Sequence, residues 1–122
     1  MKSSKNFHDY VMSDVFARIL GVTSRAMFGG YGIYKDGIIF AIIADGVLYF
    51  KADEKTQEEF KKYESAPFIY KSPRNKPITM SYWQLPEEVM EDHLQLEEWV
   101  KKSMESSLAS KNTKKGKKYA KK

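Results

Sequence analysis

The chain has 122 residues, with 21 Lys and Arg against 16 Asp and Glu, a formal net charge of +5 and no cysteine. That length supports one domain whose core needs no covalent staples, and the lack of cysteine excludes disulfides, thiolate metal sites and a cysteine nucleophile. The charge is uneven: residues 111–122 hold seven lysines and no acid, which leaves 14 basic against 16 acidic residues, or −2, elsewhere, not the basic excess of a dedicated nucleic-acid domain.

The opening MKSSKNFHDY has no apolar signal core, and the longest apolar run, Ile38 to Ala44, is too short to span a bilayer. A cytoplasmic, bacterial protein without membrane contact is expected. Phe7, Tyr10, Val11, Val15, Phe16, Ile19 and Leu20 recur at helical spacing and predict a first helix over about 6–20, with Gly21 at its C-terminal stop. Strands are predicted over about 25–35, 38–44 and 47–52, joined by Asp36-Gly37 and Asp45-Gly46. Asp-Gly suits a two-residue type I′ turn, in which both central residues need positive φ, so the three strands form an antiparallel meander. The middle strand, IIFAIIA, is apolar at every position and is expected to be central and covered on both faces.

Asp53 is a candidate N-cap for a short helix over about 54–63 anchored by Phe60 and Tyr63. Two more strands are expected at 68–70 and 78–83, around the polar turn Ser72-Pro73-Arg74-Asn75-Lys76. Pro86 with Glu87 and Glu88 opens a last helical region, and Asp92 with Gln95 forms a capping-box pattern that restarts it. Its apolar face continues through Leu96, Trp99, Val100, Met104 and Leu108. The order α-β-β-β-α-β-β-α gives an α+β domain, a two-layer antiparallel sheet with packed helices. This domain spans 1–108; residues 109–122, lysine-rich and nearly devoid of apolar side chains, are expected to be disordered.

Few motifs carry chemistry. The cluster Gly29, Gly30, Gly32 has neither the spacing nor the following helix of a phosphate loop, and reads as a bulged or bent strand that lets a helix approach closely. His8 and His93 lack metal-ligand spacing and read as solvated helix residues. The acids at 87, 88, 91, 92, 97 and 98 read as solvent-facing charge, and no nucleophile elbow occurs. Tyr31, Tyr34, Tyr49, Tyr70, Tyr82 and Trp83 fall on predicted strands, where some must point away from the core. Such aromatics can form a protein interface or stack bases, and the acidic body favours the interface. Covering helices are an equally good reading. Lys111, Lys114, Lys115, Lys117, Lys118, Lys121 and Lys122 can contact nucleic acid without sequence preference, or simply solubilise the chain. The least favoured reading is a small-molecule or enzymatic pocket near Tyr34, Lys51 and Trp83.

The run from Val22 to Tyr34, Gly37 to Phe40, Leu48 to Lys51, Pro67-Phe68, Met80-Ser81-Tyr82, Leu85 to Val89 and Glu98-Trp99 together resemble the N-terminal domain of the TfoX/Sxy family, over about residues 7–108. The resemblance implies an α+β two-layer structure similar to secretion-chaperone-like folds. It also implies a non-enzymatic regulatory or binding module, since members named for function regulate natural competence with the cyclic-AMP receptor protein. Those members carry a second, helical C-terminal domain, whereas this chain is expected to be the stand-alone first domain. The resemblance implies no cofactor and no catalytic residue. It implies a protein partner, from the transcription machinery or a second copy, with Arg25, Met27, Phe28, Gly29, Gly30, Tyr31 and Gly32 serving fold or interface.

Overall fold

A computed structural model of the chain describes residues 4–27, 29–70 and 78–120, with the backbone alone for residues 4, 78, 79 and 110–120. The chain opens with helix α1, Ser4–Tyr10, which runs into a π-helical turn, Val11–Val15. The Phe16 N–H donates to the Val11 carbonyl at 3.0 Å, the five-residue step of a π turn. The predicted 6–20 helix therefore changes winding halfway. The extra residue in the turn brings the neighbours Val15 and Phe16 into the core together, with Val11 and Ile19.

Six strands follow: β1, Val22–Met27; β2, Gly30–Lys35; β3, Ile38–Ala44; β4, Val47–Lys51; β5, Pro67–Tyr70; and β6, Ile78–Gln84. They form one antiparallel sheet in the order β1-β2-β3-β4-β6-β5. Both Asp-Gly turns have the predicted geometry, with Asp36 and Asp45 at φ 51° and Gly37 and Gly46 at 82° and 72°. Two positive φ values in succession match the strand twist and fix a two-residue loop.

The single strand predicted over 25–35 is in fact a hairpin. Met27 pairs with Gly30 across Phe28-Gly29, and Gly29 has φ 78°. The sheet thus has four strands before the next helix rather than three, while the α+β, two-layer antiparallel class stands. The bulge lies elsewhere, between β2 and β3. Pairing jumps from Ile33–Ala41 to Tyr34–Ile39, so Phe40 is the extra residue. Consecutive side chains then face the same way, and Phe40 and Ala41 are both fully buried.

Helix α2, Gln57–Lys62, follows a turn organised by Asp53, whose Oδ1 accepts from the N–H groups of Lys55 and Thr56, each at 2.9 Å. Helix α3, Glu87–Met90, starts after Pro86 as predicted, and α4, His93–Ala120, restarts at Asp92. Asp92 Oδ1 accepts from the Leu94 and Gln95 N–H groups, and the Gln95 side-chain amide donates to Asp92 Oδ2 at 2.9 Å. The α4 backbone continues past residue 108, where the sequence reading ends the folded domain. The expected disordered tail and its lysines at 111, 114, 115, 117, 118, 121 and 122 fall on side chains outside the described residues.

The helices pack on one face of the sheet. Phe16, Phe40 and Phe50 form an aromatic triangle with centroids 5.4–6.2 Å apart. Ile33, Ile43, Leu48, Val89, Leu96 and Val100 close around it. Phe60 of α2 meets Trp99 of α4 edge-on at 4.8 Å and Trp83 of β6 at 6.2 Å. Asp53 Oδ2 accepts from the buried Ser106 hydroxyl at 3.0 Å, tying the start of α2 to α4.

Candidate functional site: the uncovered face of the sheet

The register divides the strand residues between two environments. Ala41 pairs with Phe50 and with Ile33, and Ile43 pairs with Leu48; these are the helix-covered core. Ile42 pairs with Tyr49 and Gly32, and Gly32 with Arg25, so these residues face the other way. On that side lies a cleft of about 460 Å³ lined only by strand residues, chiefly Met27, Ile39, Ile42, Phe68, Met80 and Tyr82. The β5–β6 hairpin supplies one wall and β1–β3 the other. The expectation that β3 is covered on both faces is corrected here. It is central, but helices cover one face only, and its second apolar set lines the cleft.

Two glycines shape the floor. A Cβ at Gly30 would overlap the Ile43 carbonyl oxygen, so glycine is what lets β2 and β3 approach there. A Cβ at Gly32 would lie 2.6 Å from Met27 Sδ and 3.3 Å from Ile39 Cδ1, so its absence lets those side chains meet over β2. The cluster permits close approach, as expected, but of neighbouring strand and side chains rather than of a helix.

The lining is apolar and phenolic, and no charged side chain lines the cleft among the described residues. Its flanks are cationic. The Arg25 guanidinium lies 5.9 Å from the Tyr34 ring centroid, and Lys51 Nζ lies 5.2 Å from that of Tyr82 while donating to Ser81 Oγ at 2.7 Å. Burial, with a smaller contribution from Tyr34, pushes the Tyr82 phenol up to about 12. Burial also raises that of Tyr49, followed by the field of Asp45 at the β3–β4 turn. Tyr49 packs on Phe68 with centroids 5.0 Å apart. These phenols remain neutral hydrogen-bonding groups across the physiological range.

The candidate residues from the sequence separate accordingly. Arg25, Met27, Gly30 and Gly32 belong to the uncovered side. Tyr31 stacks on His8 at 4.0 Å, toward α1; Gly29 sits in the β1–β2 turn; Phe28 lies outside the described residues. Of the proposed pocket trio, Tyr34 and Lys51 lie by the cleft, but Trp83 turns to the helix side and packs on Phe60. Reading the sequence missed Ile39, Ile42, Phe68 and Met80 as site residues. The usable signal was the uninterrupted apolar run of β3, which requires an apolar surrounding on both faces.

His8 is not the solvated residue expected. Its Nε2 lies 2.7 Å from Ser24 Oγ and its Nδ1 3.0 Å from Asp9 Oδ1. A hydroxyl–imidazole–carboxylate chain is the wiring of a serine nucleophile, but the Asp9 side chain is 60% exposed, so water competes for the bond that would orient the ring. The arrangement serves as a tie between α1 and β1. His93 lies 3.7 Å from Glu97, and Glu87, Glu88, Glu91, Asp92, Glu97 and Glu98, on α3, α4 and the turn between them, are exposed as expected. Among the described residues, no group of three His, Cys, Asp or Glu could hold a metal ion, and no helix is long and apolar enough to cross a membrane.

Two comparisons bear on this architecture. The chain is similar to Protein Sxy of Escherichia coli (strain K12), with 27% identity over 113 residues. The match covers 93% of this chain and 54% of that relative, so the chain spans about half the length of the curated protein it matches. Residues 14–107, from the π turn to the middle of α4, match the model of the TfoX N-terminal domain. Both glycines of the cleft floor, both Asp-Gly turns and all six strands lie within that match, and the chain belongs to the TfoX N-terminal domain family.

Proposed function

We propose that this protein is a non-enzymatic regulatory module of the cytoplasm, a co-regulator of the competence type that acts by binding another protein through the uncovered face of its sheet. The observation that carries this reading is the apolar cleft between β1–β3 and β5–β6, with Met80 and Tyr70 of its lining both more than a third exposed. An open apolar surface of this kind marks an interaction site. Membership of the TfoX N-terminal domain family, with similarity to Sxy over about half of that protein's length, supports the regulatory assignment.

The test is affinity capture from cells under nuclease treatment, paired with a competence-gene reporter. A nuclease-resistant partner held by the native protein and lost with Met80→Asp, together with loss of the reporter response, supports the reading. Retention of both by that variant overturns it. The seven lysines of residues 111–122 favour a second reading, a nucleic-acid contact without sequence preference. It requires retention that nuclease abolishes and that falls steeply with salt.

A further inference from the structure

The partner's chemistry follows from three properties of the cleft, and the inference rests on the protein-binding reading above. We propose that the cleft takes an acidic amphipathic helix of a partner protein, its apolar side chains inserted between β1–β3 and β5–β6 and its carboxylates set against Arg25 and Lys51.

The first property is position. The cleft is lined by side chains of β1–β3 and β5–β6 on the uncovered face of the sheet, not by the backbone of a free edge. An extended peptide laid on this apolar surface would leave its own N–H and C=O groups unpaired, whereas a helix satisfies them internally. Strand addition would use the free backbone edges of β1 and β5, not the side-chain surface that lines the cleft.

The second property is size and lining. A cleft of about 460 Å³ is within the range of ligand pockets. Its walls of Met27, Ile39, Ile42, Met80 and Phe68 are aliphatic, thioether and aromatic, adaptable to the Leu, Phe or Met anchors of a helix at i, i+3, i+4 and i+7. The mostly aliphatic floor does not offer the stacked platform that nucleobases require.

The third property is charge. The flanking cations lie over Tyr34 and Tyr82, and no carboxylate lines the cleft among the described residues. Asp45, which reaches Tyr49, sits at the β3–β4 turn. A partner helix bearing Asp or Glu beside its apolar stripe is complementary to this pattern. The basic segment 111–122 is not, which rules out the chain's own lysine-rich end as the occupant, and a second copy would bring like cations to the same interface.

The experiment uses the full-length protein with labelled Met and Ile methyl groups and three probes. They are a helical peptide of about 18 residues with Leu and Phe at i, i+3, i+4 and i+7 and Glu elsewhere, its Lys-for-Glu counterpart, and an oligothymidylate. The acidic peptide is expected to shift the methyls of Met27, Ile39, Ile42 and Met80 saturably, and to bind about tenfold more tightly than the lysine peptide. Ile42→Asp is expected to weaken binding by about tenfold or more. Because a carboxylate at residue 42 also threatens the fold, the exposed Met80→Asp is a second variant, with intact core signals from Ile19 and Ile33 as the control. Replacing both Arg25 and Lys51 by Glu is expected to reverse the preference between the two peptides.

Equal binding of the two peptides, binding that leaves the methyls of Met27, Ile39, Ile42 and Met80 unshifted, or no binding would each overturn the assignment. So would displacement of the peptide from these methyls by oligothymidylate, or methyl shifts that grow with protein concentration alone. If the peptides fail while Met80→Asp still loses its nuclease-resistant partner, the acidic helix is wrong and the protein-binding reading survives. If both fail, both fall.

Discussion

The two faces of this sheet are made by the same strands and treated oppositely. Toward the helices, Phe40, Phe50, Ile33 and Leu48 are at most 2% exposed, and the rings of Phe40 and Phe50 pack edge to face. One residue away along the chain, Ile39, Ile42, Tyr49 and Tyr82 are only half covered, and what they meet is one another and a cleft. Apolar side chains buried by helices account for stability. Apolar side chains left half covered are a reserve of unburied surface, retained at some cost in solubility. Composition cannot separate the two sets, since both are Ile, Phe and Tyr; only the register does.

The largest expected effect tests the covered face. Phe40→Ala should cost about 3–5 kcal/mol in denaturant unfolding, through lost burial and the cavity left in the aromatic triangle. Ile42→Ala, on the other face, should cost roughly 1–2 kcal/mol, since less surface is exchanged. Equal losses would erase the distinction between the faces. Next comes Gly30→Ala. With the Ile43 carbonyl in the way, it should destabilise by about 1–3 kcal/mol, whereas Gly32→Ala, which meets the flexible Met27 thioether, should cost less and partly fill the cleft.

Asp53→Asn should cost about 1 kcal/mol at neutral pH, since a neutral amide accepts less strongly than the carboxylate from the Lys55 and Thr56 N–H groups and the Ser106 hydroxyl. Burial raises the Asp53 pKa, but hydrogen bonds from the Thr56 N–H, the Ser106 and Thr56 hydroxyls and the Lys55 N–H outweigh it, so the net shift is downward. Its stabilising contribution is therefore present above the ordinary carboxylate pKa near 4 and is lost as pH falls through the lower folded value. The Asn variant should show a flatter acid limb in stability against pH.

The Tyr82 phenol acts at the other extreme. Raised to about 12, it contributes stability that is complete below about pH 10 and lost as pH rises through 12. Tyr82→Phe should remove that alkaline loss, read by unfolding across this interval. The smallest effect belongs to Met80→Asp. At an exposed position it should change stability by no more than about 0.5 kcal/mol, so that any loss of binding reports on the face and not on the fold.

Local chemistry made much of the fold legible. Asp36-Gly37 and Asp45-Gly46 admit one tight turn, Pro86 and Asp92 mark helix starts, and Asp53 organises the turn into α2. What escaped depended on partners distant in sequence. Nothing in Met27-Phe28-Gly29-Gly30 announces a hairpin, because β1 is defined by pairing with β2 rather than by strict apolar alternation of its own residues, VTSRAM. The π turn at Val11–Val15 likewise follows from packing, since the apolar spacing alone fits an unbroken helix. The cleft was hidden for a third reason. Its walls come from segments about 40–50 residues apart in the chain, such as Met27 and Phe68 or Ile39 and Met80, and only the β4–β6 pairing brings them together.

That pairing has a kinetic consequence. Strands β1 to β4 close through loops of two residues, as a ladder of neighbours, whereas β4 joins β6 through three pairs, Tyr49–Gln84, Phe50–Trp83 and Lys51–Tyr82, that span more than thirty residues. Loop-closure entropy places this join after the meander in the order of folding. The cleft does not exist until the join is made, so a chain whose folding is incomplete has no binding face to offer, and recognition is withheld until the sheet is whole.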